Sequence, residues 1–226
     1  MRTPSHEGTP AGNGGSAVIV AAAISAACWV VFAVLAIVVS ASNTPSVDQS
    51  VLTWVGEHRR AAVTSVMQTV TWLGSGSVLY PATIALALLW WRRERDWRPG
   101  AMLAASLGGS TVLYNLFKRI IERPRPPAAD AVGSYSHWSF PSGHATQCMA
   151  FFAMLVVLAG LGGRARLWLW AIAAAAVVLS VGASRIYLGA HWVTDVLGGY
   201  ALGGAWVSLL TTVGLATILR TPPLDR

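Results

Sequence analysis

The chain has 226 residues, of which 54% are apolar and 11% charged, with a net charge of +7. A typical soluble domain is roughly a quarter charged, so this composition excludes an ordinary water-soluble fold and predicts helices that cross a bilayer. The positive charge is nearly all arginine at the ends of apolar tracts, which fits a membrane surface and leaves no basic stripe of the nucleic-acid kind.

Residues 1–15 are polar and rich in glycine and proline, and are expected to form a disordered N-terminal tail. The first span runs from Ser16 to Val39; it is too long for a signal-peptide core and has no clear small-residue cleavage site. After Asn43-Thr44-Pro45, residues Val47 to Arg60 have amphipathic spacing and are expected to lie along the interface. The second span, Val63 to Trp91, is expected to bend near Gly74-Ser75-Gly76. The charged run Arg92 to Arg98 follows, and Pro99 opens the third span, Gly100 to Ile121. A polar loop, Glu122 to Phe140, leads to the fourth span, Ser142 to Leu161, which Gly162-Gly163 ends. The fifth span covers Leu167 to Ser184 and the sixth His191 to Leu219. The expected fold is therefore all-α: one polytopic membrane domain, residues 16–219, with six transmembrane helices in a bundle and a short cytoplasmic tail, 220–226. Cys28 and Cys148 fall inside apolar tracts and form no disulfide framework.

Basic residues favour the cytoplasmic side. With both termini inside, Arg2, Arg92, Arg93, Arg95, Arg98, Arg164, Arg166, Arg220 and Arg226 lie inside, against Arg59, Arg60, Lys118, Arg119, Arg123, Arg125 and Arg185 outside. Lys118, Arg125 and Arg185 have a separate reason to be outside, so the asymmetry favours N-in and C-in. The ends of the third and fifth spans and the start of the fourth are then expected to meet on the outer side.

Three segments placed there carry chemistry: Lys118 to Pro126, Pro141-Ser142-Gly143-His144, and Ser184 to Asp195. A phosphoryl group in transfer is a cluster of anionic oxygens that needs fixed positive charge and N–H donors. Lys118, Arg125 and Arg185 supply the charge, and a guanidinium can hold two oxygens. Ser142 stands where a helix N-cap would be, and the N–H groups after it, Gly143 included, make an anion site. His191 and Asp195 are four apart, so on a helix the carboxylate can hold one ring nitrogen and leave the other to attack phosphorus. His144 is then the general acid for the leaving oxygen and the base that activates water. Acidic residues are scarce, with only Glu122, Asp130 and Asp195 near these segments, too few for a hard cation. No metal and no cofactor is expected. Glu122, four residues after Lys118, is expected to be its ion-pair partner.

The three segments resemble, in order and at every position, the signature of the type 2 phosphatidic acid phosphatase family: Lys, six residues, Arg-Pro; Pro-Ser-Gly-His; and Ser-Arg, five residues, His, three residues, Asp. The resemblance implies a six-helix membrane fold, a phosphohistidine on His191, no metal requirement, and kinship with vanadium-dependent haloperoxidases. Those are soluble, and the composition here argues against that activity.

The function expected is a lipid phosphatase of the cell (plasma) membrane with its site on the extracytoplasmic face. An isoprenyl (undecaprenyl-type) diphosphate is the first substrate expected, and phosphatidic acid or phosphatidylglycerol phosphate the alternative. Arg123, two residues before Arg125 in a proline-held stretch, is a candidate contact for a second phosphate; the alternative is a solvated surface charge. Two other classes stay open, a non-catalytic lipid-binding or transport relative and a phosphotransferase.

Overall fold

The computed structural model describes residues 13–42, 44–127, 131–133, 135, 137–163 and 165–220. Most of the expected N-terminal tail, residues 221–226 of the expected C-terminal tail, and Asp130 lie outside the described residues. The described residues build eight α-helices: α1 (Asn13–Ala41), α2 (Ser46–His58), α3 (Ala61–Val70), α4 (Gly76–Glu94), α5 (Arg98–Ile121), α6 (Gly143–Leu161), α7 (Leu167–Tyr187) and α8 (Val193–Arg220). A 3-10 turn, Thr71–Gly74, joins α3 to α4.

Helix boundaries follow local chemistry. Pro99 lies in the first turn of α5, where its missing N–H costs nothing. The break expected at Gly74-Ser75-Gly76 is a bend of 43° between the α3 segment and α4. A Cβ on Gly74 would come within 2.5 Å of Val181 Cγ1 on α7, so glycine there lets the bend nest against α7. At the end of α5, Glu122 takes the left-handed conformation (φ 49°) and its N–H donates to Lys118 O at 3.1 Å. This turn corrects the expected Lys118–Glu122 pair. The helix stops at Ile121, Glu122 faces solvent, and among the described residues no such ion pair forms.

Four helices (α1, α6, α7 and α8) are long and apolar enough to cross a membrane, or five if the bent α3–α4 pair is one span. The expected third span, α5, is long enough, at about 36 Å for 24 residues. It falls short in apolar content because Ser106, Gly108, Gly109, Ser110, Thr111 and Asn115 fill its middle. Large apolar side chains such as Ile19, Val34, Ile37, Ile84, Val112 and Leu179 are exposed, the inverse of a soluble protein.

Helix α8 is the centre of the bundle, packing against α1, α6 and α5, while α6 also meets α7 and α5. Small residues allow the close approach. A Cβ on Gly199 would lie 2.8 Å from Ser142 O and one on Gly203 2.7 Å from Thr146 O, so α8 presses its backbone on the start of α6. Leu79, Leu103, Leu107, Phe151 and Met154 fill the core between α4, α5 and α6. The buried charged residues, by contrast, gather where α5 and α7 end and α6 and α8 begin.

Candidate active site

His191 lies just before α8, and is 3% exposed. Asp195 sits in the first turn of α8 and reaches back to the N–H of Trp192 at 3.0 Å through Oδ2. This backward reach is that of a capping box, and it brings the carboxylate beside His191, whose Nδ1 is 3.3 Å from Oδ2. A carboxylate only accepts, so Nδ1 carries the proton and Nε2 presents its lone pair. The i,i+4 pairing foreseen for a continuous helix therefore forms through a helix start.

Around this pair the three signature segments converge. Arg125 NH1 lies 3.2 Å from His191 Nε2 and donates to Ala190 O at 2.6 Å, while its Nε donates to His137 O at 2.9 Å. Arg185 NH1 donates to Thr71 Oγ1 at 2.9 Å, and its Nε is buried with no hydrogen-bond partner. Lys118 Nζ donates to the carbonyls of Trp138 and Ser139, the latter at 3.0 Å. Ser142 is the N-cap residue of α6, but its Oγ makes no capping bond and is buried without a partner. Its N–H donates to Asp195 O at 3.0 Å, which ties the start of α6 to the start of α8. Gly143 is packed so that a Cβ would come within 3.1 Å of the Tyr114 ring. His144 and Arg185 line a cavity of about 380 Å³ together with Thr71, Trp72, Ser75 and Tyr135.

Burial first, and then the charges of Lys118, Arg125 and Arg185 with His144 beside them, hold the His191 imidazole well below the usual histidine range. It is neutral at physiological pH, the state that a nucleophile needs. Arg185 Nε and the Ser142 hydroxyl, both buried without a partner, are left to hold anionic oxygens beside these cations, which suits phosphoryl transfer.

The sequence profile described as the PAP2 superfamily matches residues 99–217. The chain belongs to the PAP2 superfamily. A relative named phosphatidylglycerophosphatase B, from Bacillus subtilis (strain 168), is 32% identical over 176 residues, 76% of this chain and 85% of that one. An undecaprenyl-diphosphatase from Sulfolobus acidocaldarius is 27% identical over 162 residues, 70% and 73% of the two chains. Among solved structures, a transmembrane PAP2 type phosphatidylglycerolphosphate phosphatase from Bacillus subtilis superimposes with a TM-score of 0.78 at 27% identity, covering 88% of this chain and 98% of that one. As a PAP2 protein with relatives named as phosphatases, the chain is a membrane lipid phosphatase.

Arg123 is where the PAP2 site departs from the sequence expectation. It is 0% exposed. Its NH1 donates to Asp195 Oδ1 at 2.5 Å and Thr194 Oγ1 at 2.7 Å, and its NH2 to Asp48 Oδ2 at 2.7 Å. It is not a solvated surface charge, because the left-handed turn at Glu122 aims it into the protein behind Asp195. Four further residues were not foreseen. Ser139 donates to Asp195 Oδ2, Thr71 holds Arg185, and the Tyr135 ring lies 5.7 Å from the guanidinium of Arg125 and 5.1 Å from that of Arg185. Asp48 is the fourth. Ser139 and Tyr135 lie in the polar loop, where no periodic pattern marks which side chains turn inward.

Proposed function

We propose that the chain hydrolyses lipid phosphates on the extracytoplasmic face of the cell membrane without a metal, with His191 as nucleophile. The reading rests above all on the lone pair of His191 Nε2, backed by Asp195 and faced by Arg125. Nε2 attacks phosphorus and the bond to the lipid oxygen breaks, giving a phosphohistidine. His144 gives that oxygen a proton, then takes one from the water that attacks phosphorus and releases inorganic phosphate. Lys118, Arg125, Arg185, the Ser142 hydroxyl and the Gly143 N–H hold the phosphoryl oxygens. The bundle has six spans, counting the bent α3–α4 pair as the second and α5 as the third, with both termini inside.

The substrate reading favours phosphatidylglycerol phosphate, a single phosphomonoester. The support is the Bacillus relative, matched over 85% of its length, together with the burial of Arg123, whose guanidinium is engaged by Asp48, Thr194 and Asp195. An isoprenyl diphosphate is the second reading, supported by the Sulfolobus relative. Phosphate release by the purified protein tests both levels. His191→Ala should be inactive although it inserts normally; activity above a few per cent of wild type overturns the nucleophile. The specificity constants should rank phosphatidylglycerol phosphate above the isoprenyl diphosphate, and the reverse order reverses the substrate reading.

A further inference from the structure

Asp48 stands far from the signature segments in sequence, in the first turn of the short helix α2, yet it is 1% exposed. Its Oδ1 accepts the N–H of Thr194 at 3.0 Å, and its Oδ2 accepts the Thr194 hydroxyl at 2.5 Å and Arg123 NH2 at 2.7 Å. A carboxylate of one helix thus caps another, α8, whose first turn carries Asp195. Arg123 spans the two acids, with one guanidinium nitrogen on each, and its charge lies 5.5 Å from the centre of the Trp192 ring. Oδ2 of Asp195 is left for Ser139, Trp192 N–H and His191.

We infer that Asp48 and Arg123 are positioning residues for the reaction: a buried chain Asp48–Arg123–Asp195 holds the Asp195 carboxylate against His191 Nδ1. The inference rests on the reading of His191 as nucleophile. Neither residue reaches the phosphate-holding side of the site; they act on the face of Asp195 turned away from His191. Arg123 fixes Oδ1, so that only Oδ2 faces the imidazole. Asp48 fixes Arg123 and the helix start together, so α2 is the clamp that sets the orientation of the nucleophile. Outer partners of this kind influence function through the groups they orient, as they do around metal-bound histidines.

The charges around His191 give the idea a sign. Facing the imidazole are Lys118 from α5, Arg125 from the loop, His144 from α6, Arg185 from α7 and Asp195 from α8, with Arg123 and Asp48 behind. Asp48→Asn removes a negative charge and keeps an acceptor for Thr194 N–H, so His191 becomes harder to protonate. Arg123→Gln removes a positive charge, so His191 becomes easier to protonate.

The test is steady-state phosphate release from phosphatidylglycerol phosphate in detergent by wild type, Asp48→Asn, Arg123→Gln and the double variant. Both single variants should lose kcat on the order of 10–100-fold, with KM near the wild-type value. The acid limb of kcat/KM should move down in pH for Asp48→Asn and up for Arg123→Gln. The double variant should lose less than the product of the two single losses, because the pair acts as a unit. A merely structural role predicts instead loss of folded protein, or equal changes in kcat and KM with no signed pH shift, and either pattern in Asp48→Asn overturns the inference. If Arg123→Gln fails to accumulate in membranes, Asp48→Asn decides alone, since it preserves shape and the helix cap. Wild-type kcat in Asp48→Asn with an inactive His191→Ala overturns the chain and leaves the nucleophile standing. An active His191→Ala overturns the reading beneath both.

Discussion

Asp195 accepts from Arg123, Ser139, the Trp192 N–H and His191. A side chain so fully engaged cannot swing, and its one free task is to fix the ring of His191. Asp195→Asn puts an amide where acceptors are required, favours the wrong tautomer of His191 and sets an N–H against Arg123 or Ser139. Phosphate release should fall by roughly 10²–10⁴-fold without vanishing, because Nε2 and the phosphate-binding cations remain; single-turnover rates on the purified variant check this. The same surroundings set a pH dependence. Burial and the facing cations depress the His191 pKa, so the imidazole stays unprotonated to lower pH than a histidine in water. The acid limb of kcat/KM that belongs to His191 should therefore fall below the ordinary histidine value of 6.5. A pH–rate profile with that limb at or above 6.5 contradicts the assignment.

Helices α6 and α8 each begin at the site, and their contact sets the distance between the Ser142–His144 turn and the His191–Asp195 turn. That contact is made by glycine. At Gly203 a Cβ would meet Thr146 O at 2.7 Å and Met149 Cβ at 2.9 Å, the first of these a backbone atom that cannot rotate away. Gly203→Val should push α8 off α6 at a cost of about 1–3 kcal/mol. The expected outcome is a lower melting temperature in detergent and reduced kcat, although residue 203 is three turns of helix from the chemistry. Wild-type stability and turnover in this variant would show that the two helices do not set the site by backbone contact. Helix α5 teaches a complementary lesson. Its first-turn proline and its length are legible in the sequence, but the polar residues in its middle lower its mean hydropathy, so hydropathy alone does not mark it as a span.

For the whole molecule, the proposed orientation has a direct consequence. With Cys28 and Cys148 replaced, single cysteines at Pro127→Cys, in the loop after α5, and Ala165→Cys, between α6 and α7, lie on opposite sides of the membrane. An impermeant thiol reagent applied to intact cells should label the first alone; labelling of the second alone inverts the topology. Composition and spacing by themselves determined the membrane class, the positions of the long helices, the bend near Gly74 and the three segments that converge. Those properties depend on local periodicity, turn residues and the charge that a phosphoryl group requires, all carried by neighbouring residues in the chain. Only the tertiary structure decided that Lys118 bonds carbonyls instead of Glu122, that Ser139 and Tyr135 support the site, and that Arg123 lies behind Asp195. The direction in which Arg123 points depends on one left-handed residue at Glu122, and its partner Asp48 is 75 positions away. Pairings of that kind are set by how helices pack, and no periodicity in a single chain segment records them.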